Sequence, residues 1–555
     1  MKKLVPVGFL LIVPSFIFLL RPNLYWNMHD DMQLIRQLEL EKCFQDGQLP
    51  CRWSPDLGFG YGYPLFNFYP QFPYLIGQIY RTLGFSFIST VKLTAITQIV
   101  VSYFAMYLLA SAVFGPVGGL LSALFFTYAP YHAVNIYVRG AMNEAWSAVF
   151  FPLILYFTYH QTRQHRLSHW LGLSLSLTGL FLSHLPMTIV FLPIAVALSF
   201  YWSYPQIEKK SLRLLSSLEL AIGLSSFFLL PVFFESNLVQ IGSMFSNYYH
   251  YSVHFTSLRQ LFISNFWGDG PSVWGQADQM SFAIGYLHWL VPLLITTGLV
   301  FKFRHFKSRL AIFTLIIVFI GFGFAFLTHQ RSSFVWQLLP TLQKVQFPWR
   351  LLNPTVFFLS LSVGFLPTLL KIYLPKIRPI SYLIPLIFFL LLLNLPKFYP
   401  ITLGPITDAQ KFSGRAWNNQ ITSGIYDYLP KTAPTAPKSP PAGLVDQTIP
   451  ASAIIDIKNE KRGTDWFFLN FSLSQNAEVI LGQLDFPNFL VFDHNKIIPH
   501  SADPELGRIK IDLDAGDHQL FVKLQNTHIR TIADIISILS WLLIFVYLIY
   551  KKWPT

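Results

Sequence analysis

Charged residues are scarce in this chain. Asp, Glu, Lys and Arg make up 12% of its 555 residues, about half the fraction of a typical soluble domain, whereas 53% of the residues are hydrophobic. The chain has two cysteines, which are too few for a disulfide-rich scaffold, and their spacing is not that of a zinc site. No Walker, GxSxG, HExxH or Rossmann motif occurs in the sequence context that such a motif requires. These absences argue against the common classes of soluble enzyme.

Long apolar runs take up much of the sequence instead. Several of them reach the roughly 20 residues that a helix needs to cross a bilayer core. Twelve membrane helices are predicted at 4–20, 91–113, 117–134, 143–160, 169–184, 187–203, 212–234, 283–301, 310–328, 352–371, 379–396 and 531–550. The run 64–84 is also apolar, but it contains Pro64, Pro70 and Pro73, and we interpret it as a re-entrant or interfacial segment.

The basic residues predict a topology. The formal net charge is +13, and Lys and Arg cluster at the ends of the apolar runs, which makes nucleic acid an unexpected partner. The positive-inside rule places the following residues in the cytoplasm: Lys2, Lys3, Arg163, Arg166, Lys209, Lys210, Arg213, Lys302, Arg304, Lys307, Arg309, Lys371, Lys376, Arg378, Lys551 and Lys552. Both termini are then cytoplasmic, and the long segments 21–90 and 397–530 lie outside.

The C-terminal outer segment changes in character. Residues 431–441 (KTAPTAPKSPP) are typical of an extended, solvated linker. Alternating apolar runs then predict six strands of a small β-sandwich or jelly roll at 453–457, 466–473, 477–484, 489–493, 508–513 and 518–524. The fold class is therefore an α-helical polytopic membrane protein with about twelve transmembrane helices and a small extracytoplasmic β-sandwich. We predict four parts. The transmembrane domain is 1–396, with its large first outer loop at 21–90, and the connection with the linker is 397–441. The β-module is 442–527, and the last helix with its tail is 528–555.

Two adjacent carboxylates, Asp30 and Asp31, follow His29 in the first outer loop. One interpretation is structural, because Met28-His29-Asp30 would suit the cap of an amphipathic interfacial helix. The other is catalytic: a carboxylate there would take a proton from an acceptor hydroxyl, or would bind a divalent cation together with its neighbour. The residues alone leave both open.

Other ionisable residues fall at the predicted outer ends of helices. Arg139 and Glu144 lie in YVRGAMNEAWS, where they form either a structural ion pair or a phosphate-binding site. His184 lies at a Pro-broken junction between two short helices. Arg350, in QFPWR, is either an interfacial anchor or a second phosphate-binding group.

Cys43 and Cys51 share the first outer loop, where a disulfide can persist. A bridge between them would contribute roughly 2–3 kcal/mol of constraint. The alternative is two unpaired thiols.

Several stretches together resemble a known family. HDDMQLIRQLE, GQLPCRWSPDLGFGYGYPLFNFYPQFPY, YVRGAMNEAWS and QFPWR resemble bacterial polytopic membrane proteins that are labelled as related to 6-pyruvoyl-tetrahydropterin synthase. The ending FPNFLVFDHNKIIPH…GRIKIDLDAGDHQLFVKL, followed by a last helix, resembles the tail of YfhO-like proteins. Such families look like members of the GT-C glycosyltransferase superfamily.

This resemblance implies an activity. It implies a bacterial plasma-membrane enzyme that moves a sugar from a polyprenyl-phosphate-linked donor to a glycan, lipid or protein acceptor on the extracytoplasmic face, with inversion. Asp30 would be the base, or would bind a cation such as Mg²⁺ or Mn²⁺ with Asp31, and Glu144 would be the second acidic residue. The residues expected to bind substrate are His29, Arg139, His184, Arg350, and Tyr61, Asn67 and Tyr69 in the aromatic run.

Two other functions stay open. A transporter or flippase of lipid-linked saccharides would have charges near the bilayer midplane and repeated halves, and the sequence shows no clear repeat. A non-catalytic envelope assembly protein would rely on the β-module.

Overall fold

The computed structural model describes residues 4–22, 24–164, 166–273, 275, 278–301, 308–376 and 378–552. Five of the basic residues assigned to the cytoplasm lie outside the described residues: Lys2, Lys3, Lys302, Arg304 and Lys307.

Each of the twelve apolar segments contains a helix. In the described part of the chain, seven helices, counted with the 3₁₀ turns that continue them, are long and apolar enough to cross a bilayer: Phe87–Phe114, Leu185–Ser203, Ile207–Leu238, Arg309–Leu327, Pro348–Tyr373, Pro379–Phe398 and His528–Ile549. Three shorter apolar helices are Leu4–Ser15, Pro116–Thr127 and Tyr286–Phe301. The other two predicted spans are the helices Met142–Gln161 and Leu167–Phe181. The helical segments were thus predictable from apolar run length, whereas the count of twelve crossings stays a prediction.

The chain forms two compact units, each assembled from separate stretches. The first unit comprises 1–33, 88–221 and 247–407. Besides most of the apolar helices it contains an antiparallel pair of strands, Leu24–Trp26 with Thr402–Pro405. Its short helices are Pro130–Ala133, Leu258–Phe262, Ser333–Leu338 and Pro340–Gln343.

The second unit comprises 34–87, 222–246 and 408–555. It holds most of the helix Gln33–Asp46, the end of the helix that begins at Ile207, and the last helix, His528–Lys552. Its short helices are Leu65–Phe68, Phe72–Thr82, Asp408–Lys411 and Gly414–Thr422. The predicted domains are consecutive stretches of chain, whereas these units are not, and the boundaries at 396, 441 and 527 stay predictions.

The second unit also contains two antiparallel sheets. In spatial order, the four-stranded sheet is Val445–Ile449, Ala477–Leu484, Arg508–Leu513 and Ser501–Ala502. The five-stranded sheet is Ile454–Arg462, Trp466–Leu473, Gly516–Leu524, Phe489–Asp493 and Lys496–Ile498. All six predicted strands are present; the sandwich arrangement stays a prediction.

The linker at 431–441 is exposed at most of its positions, and a few of its residues are buried. Ala433 and Ala436 are buried. The carbonyl of Ala433 accepts a hydrogen bond of 2.5 Å from Gln240 Nε2, and Lys431 N donates to Leu238 O at 3.0 Å. Alanines next to prolines are small enough to pack, so these positions are held within the second unit.

The first outer loop is divided between the two units. In the part that belongs to the second unit, Cys43 and Cys51 form a disulfide. The segment 64–84, predicted as re-entrant or interfacial, folds into the helices Leu65–Phe68 and Phe72–Thr82 with Pro70 between them.

Candidate active site

Arg139 follows a π-helical turn, Val134–Val138, in the first unit. Its backbone N–H donates to Val134 O at 2.8 Å, the i to i+5 bond of such a turn. The next residue, Gly140, has φ +65°, and a Cβ there would lie 2.4 Å from Met28 Sδ. Only glycine fits this turn, which directs Arg139 back towards the helix Met142–Gln161.

Glu144, in the first turn of that helix, binds Arg139. Arg139 Nη1 lies 2.8 Å from Glu144 Oε2 and donates to Asn135 Oδ1 at 2.5 Å. Tyr131 Oη donates to the other carboxylate oxygen, Oε1, at 2.7 Å. The sequence left an ion pair and a phosphate site open for Arg139 and Glu144, and the structure forms the ion pair.

Arg350 reaches the same carboxylate from a distant part of the chain. It lies in the turn Pro348–Leu351, and its Nε is 3.4 Å from Glu144 Oε2. Side-chain exposures are 6% for Arg139, 14% for Arg350 and 1% for Glu144, so two largely buried cations share one buried anion. We call these three residues and Tyr131 the Glu144 cluster.

Several polar atoms around the cluster lack a hydrogen bond. Among the described residues, Arg350 Nε, Asn135 Nδ2 and Asn353 Oδ1 are buried without a partner. Asn353 is adjacent, because its Nδ2 donates to Glu144 O at 3.3 Å. A buried polar group without a hydrogen bond costs roughly 1–3 kcal/mol, so each of these atoms calls for an explanation.

Asp30 lies beside this cluster. Its backbone N–H donates to Arg139 O at 2.9 Å, and His29 N–H donates to Val138 O at 3.0 Å. The Asp30 side chain is exposed. Burial by itself would lower the pKa of Arg139, and the carboxylates of Glu144 and Asp30 together raise that pKa above its ordinary value.

The neighbours of Asp30 face other groups. Asp31 accepts a hydrogen bond of 3.2 Å from Tyr25 Oη. His29 Nε2 donates to Asp269 O at 2.6 Å. The acidic pair is therefore split: Asp30 is exposed beside the arginines and Asp31 contacts a tyrosine.

His184 caps the helix Leu185–Ser203. Its Nδ1 accepts from Met187 N at 3.3 Å. Burial, together with the charge of Arg350, lowers the pKa of His184 to about 3. The imidazole is therefore neutral at physiological pH, and it adds no charge to the cluster.

Aromatic rings line the two arginines. The Arg139 guanidinium lies 4.4 Å from the centre of the Trp349 ring, and that of Arg350 lies 4.6 Å from the centre of the Phe347 ring. Phe347 and Trp349 are stacked with 4.8 Å between ring centres. Such stacking positions guanidinium groups while leaving them charged.

The three candidates from the aromatic run lie in the second unit. Tyr61 Oη donates to Asp446 at 3.0 Å, and Tyr69 Oη accepts from Arg36 at 2.8 Å. Asn67 is buried, where its Oδ1 accepts from Arg52 at 2.9 Å and its Nδ2 donates to Glu235 at 3.3 Å. These side chains are tied to protein groups within their own unit, and their role towards a substrate stays a prediction.

The predicted divalent-cation site has two candidate ligands, Asp30 and Asp31. Nowhere in the ranges that the structure describes do three His, Cys, Asp or Glu side chains converge as a metal site would require. Asp30 and Asp31 would have to bind Mg²⁺ or Mn²⁺ as a pair, although Asp31 is already bonded to Tyr25. No step below depends on a metal.

Sequence reasoning missed Tyr131, Asn135 and Asn353. Asn135 lies four residues before Arg139 on a helical turn, a spacing that could have indicated their contact. Tyr131 and Asn353 have no local signal, because tertiary packing brings them to Glu144.

A known glycosyltransferase family matches part of the chain. The family described as dolichyl-phosphate-mannose-protein mannosyltransferase matches residues 69–229, a stretch that contains Arg139, Glu144 and His184. A protein from Lactococcus lactis subsp. cremoris (strain MG1363), described as uncharacterized, is 26% identical over 235 residues, which are 40% of this chain and 38% of that protein.

Solved structures give weaker similarities. The mycobacterial arabinofuranosyltransferase AftD has a TM-score of 0.42 at 16% identity, over 76% of this chain and 27% of its own. The Archaeoglobus fulgidus oligosaccharyltransferase has a TM-score of 0.43 at 13% identity, over 78% and 61%. ArnT from Cupriavidus metallidurans, bound to undecaprenyl phosphate, has a TM-score of 0.35 at 14% identity, over 70% and 62%. These scores are below 0.5, so nothing about this chain is concluded from them.

The family match supports a glycosyltransferase and covers residues 69–229, less than half of the chain, so membership of the GT-C superfamily stays a prediction. The narrower resemblance to YfhO-like proteins stays a prediction.

Proposed function

We propose that this protein is an inverting membrane glycosyltransferase that moves a sugar from a polyprenyl-phosphate-linked donor to an extracytoplasmic acceptor. The acceptor is a glycan, a lipid or a protein of the cell envelope. The matching family uses dolichyl-phosphate-mannose by its description, which supports a donor of this chemical class.

The charge of the Glu144 cluster is the observation that carries this proposal. Arg139 and Arg350 share the single buried carboxylate of Glu144, which leaves one positive charge in excess among the buried groups. A buried excess charge is costly unless a ligand compensates it. A phosphate monoanion on a lipid would do so, and arginine is well suited to bind phosphate oxygens in pairs.

Asp30 is the proposed base. It would take the proton of an acceptor hydroxyl while the hydroxyl oxygen attacks the anomeric carbon of the donor. The bond from that carbon to the phosphate oxygen breaks, and the electron pair leaves with the polyprenyl phosphate. Arg350 and Arg139 would stabilise the negative charge that grows on the phosphate in the transition state.

The remaining groups support the two arginines in this scheme. Tyr131 and Asn135 position Glu144 and Arg139 through hydrogen bonds of 2.7 and 2.5 Å. Neutral His184 leaves the charge excess at one. The site would lie at the outer face of a bacterial plasma membrane, with both termini in the cytoplasm, as the distribution of basic residues predicts.

Reconstituted protein tests the proposal. Proteoliposomes would be supplied with radiolabelled polyprenyl-phosphate sugars and an envelope extract as acceptor, and transfer would be compared between wild type, Asp30→Asn and Asp31→Asn. We expect transfer by wild type and Asp31→Asn and a loss of at least about a hundredfold in Asp30→Asn. Asp31→Asn is the matched control, because the Asp31 carboxylate is next in sequence to Asp30 but contacts Tyr25.

Two results would contradict the proposal. Equal transfer by Asp30→Asn would remove Asp30 as the base. Movement of labelled lipid across the bilayer without any transfer would favour a flippase.

A further inference from the structure

The five-stranded sheet of the second unit has one face that is only partly covered. Along Trp466–Leu473, buried and partly exposed residues alternate, with Phe467, Leu469, Phe471 and Leu473 buried. The partly exposed residues of this strand are Trp466, Phe468, Asn470 and Ser472. Because side chains alternate across a strand, these four residues share the outward face of the sheet.

Aromatic side chains form a row across this outward face. Phe521 lies on the central strand, directly opposite Phe468 on the strand to one side and Phe492 on the strand to the other side. The ring centres of Phe492 and Phe521 are 6.1 Å apart, and those of Trp466 and Phe521 are also 6.1 Å apart. All four rings are partly exposed. We call these four residues the aromatic row.

Amide side chains lie beside the aromatic row. Asn470 pairs across the sheet with Asn459 on one side and with Gln519 on the other. Gln519 is exposed, whereas Asn470 Oδ1 is buried and has no hydrogen-bond partner among the described residues. An amide offers both donors and acceptors, so this line of three amides suits a ligand that carries hydroxyl groups.

Charges of both signs lie on this face, three lysines and two aspartates, and one lysine and one aspartate form a pair. Lys458 Nζ lies 2.7 Å from Asp517 Oδ1, and Ser472 Oγ also donates to Asp517. Lys461 pairs across the sheet with Phe468, and Lys523 pairs with Trp466. Asp456 lies on the same edge strand as Lys461. The face is thus close to neutral, which does not favour an anionic lipid surface or a polyanion.

The row is fixed at one end. Trp466 Nε1 donates to Asp46 Oδ1 at 3.2 Å, and the other oxygen of Asp46 accepts two bonds of 2.7 Å from the N–H and the hydroxyl of Thr464. The Trp466 ring is therefore held in place before any ligand arrives, and a ligand loses less affinity to side-chain ordering.

We propose that the outward face of the five-stranded sheet binds an uncharged oligosaccharide. Sugar rings have apolar C–H faces that pack on aromatic rings, and equatorial hydroxyls that bond to amides. The aromatic row would take the faces of successive sugar rings, and the Asn459–Asn470–Gln519 line would take their hydroxyls. This inference concerns binding alone and does not depend on the proposed transfer reaction.

Binding by the full-length protein tests this inference. The protein in lipid nanodiscs would be titrated with fluorescently labelled cellohexaose, maltohexaose and mannohexaose, and binding would be followed by fluorescence anisotropy. We expect wild type to bind at least one hexasaccharide. Phe521→Ala should weaken that binding by roughly tenfold, since an aromatic contact contributes up to about 1.5 kcal/mol.

Two further variants keep the result interpretable. Gln519→Ala removes an exposed amide from the same face and should weaken binding by roughly threefold to tenfold, without the risk of unfolding that a ring deletion carries. Tyr426→Ala removes a ring that is 52% exposed elsewhere in the second unit and should leave binding within about twofold of wild type.

Three outcomes would overturn the inference. Wild type that binds none of the hexasaccharides contradicts it. So does unchanged binding by both Phe521→Ala and Gln519→Ala. Quenching by brominated lipids that is measurably smaller in Trp466→Phe than in wild type would show instead that the face lies against the bilayer.

Discussion

Glu144 and Glu235 are buried carboxylates that each pair with an arginine, and the charges around them are balanced differently. In the second unit, Glu235 pairs with Arg530 at 2.8 Å, and Arg52 pairs with Asp534 at 2.6 Å. We call these four residues the Glu235 cluster. It holds two cations and two anions in direct contact, whereas the Glu144 cluster in the first unit holds two cations and one buried anion.

The comparison separates a structural cluster from the proposed phosphate-binding site. Both clusters leave guanidinium nitrogens without hydrogen bonds: Arg530 Nη1, Arg530 Nη2 and Arg52 Nε in the Glu235 cluster, and Arg350 Nε in the Glu144 cluster. Unpaired donors therefore do not separate the two. Net charge does, because a balanced group needs no ligand and an excess buried charge needs one.

The largest expected effect is on the balanced cluster. Glu235→Ala would leave Arg530 without its anion, and it would also remove the acceptor of the Thr527 hydroxyl at 2.5 Å. We expect a loss of about 3–5 kcal/mol in the free energy of unfolding, because one partner of a buried pair is removed. Thermal unfolding in detergent measures it. A loss below about 1 kcal/mol would show that this cluster is not structural.

The pH dependence of stability tests the electrostatics near Glu144. His184 has a pKa of about 3 in the folded protein, lower than in the unfolded chain because of burial and the charge of Arg350. The unfolded chain therefore binds the extra proton between about pH 6.5 and pH 3, and stability falls as pH decreases through this window. From pH 6.5 to pH 5 we expect a loss of about 2 kcal/mol from His184.

The difference between wild type and His184→Gln isolates this effect from other histidines. The variant should show a shallower decline in unfolding free energy over the same range. Parallel curves would mean that the pKa of His184 is similar in the folded and unfolded protein, so that at pH 5 its proton would add a second excess charge to the Glu144 cluster.

A smaller effect is expected for Arg350→Gln. The variant leaves the Arg139–Glu144 pair, at 2.8 Å, as a balanced ion pair. We expect the free energy of unfolding to change by less than about 1 kcal/mol, since the change removes the excess of buried positive charge as well as contacts. A loss comparable to that of Glu235→Ala would make the two clusters alike and would weaken the comparison.

The smallest effect is expected for Asp31→Asn. An asparagine oxygen can still accept the 3.2 Å bond from Tyr25 Oη. The free energy of unfolding should stay within about 0.5 kcal/mol of wild type. A larger loss, measured in the same unfolding assay, would show that the charge of Asp31 is needed where it lies.

The sequence predicted the elements of this fold better than their assembly. Apolar run length located the helices, and alternation located the strands Trp466–Leu473 and Arg508–Leu513, because both patterns are local. The strands Lys496–Ile498 and Ser501–Ala502 are too short to show alternation. Residues 34–87 join the C-terminal part of the chain in one unit. This is a long-range property, and no local sequence pattern encodes it.

The candidate site follows the same rule. Arg139, Glu144 and Arg350 were individually notable as charges at the ends of apolar helices. Their convergence on one carboxylate was not predictable, because Arg350 is more than two hundred residues from Glu144 in sequence. The separation of Asp30 from Asp31 likewise depends on a contact with Tyr25 that only the folded chain shows.

The affinity for undecaprenyl phosphate tests the central comparison most directly. Wild type, Arg350→Gln and Arg52→Gln would be compared by native mass spectrometry with that lipid, and undecaprenol would serve as the uncharged control. The excess charge of the Glu144 cluster predicts that Arg350→Gln loses at least about tenfold in affinity, from charged hydrogen bonds of roughly 1.5–3 kcal/mol, while Arg52→Gln binds as wild type does. Equal affinity in wild type and Arg350→Gln, or a selective loss in Arg52→Gln, would contradict the account.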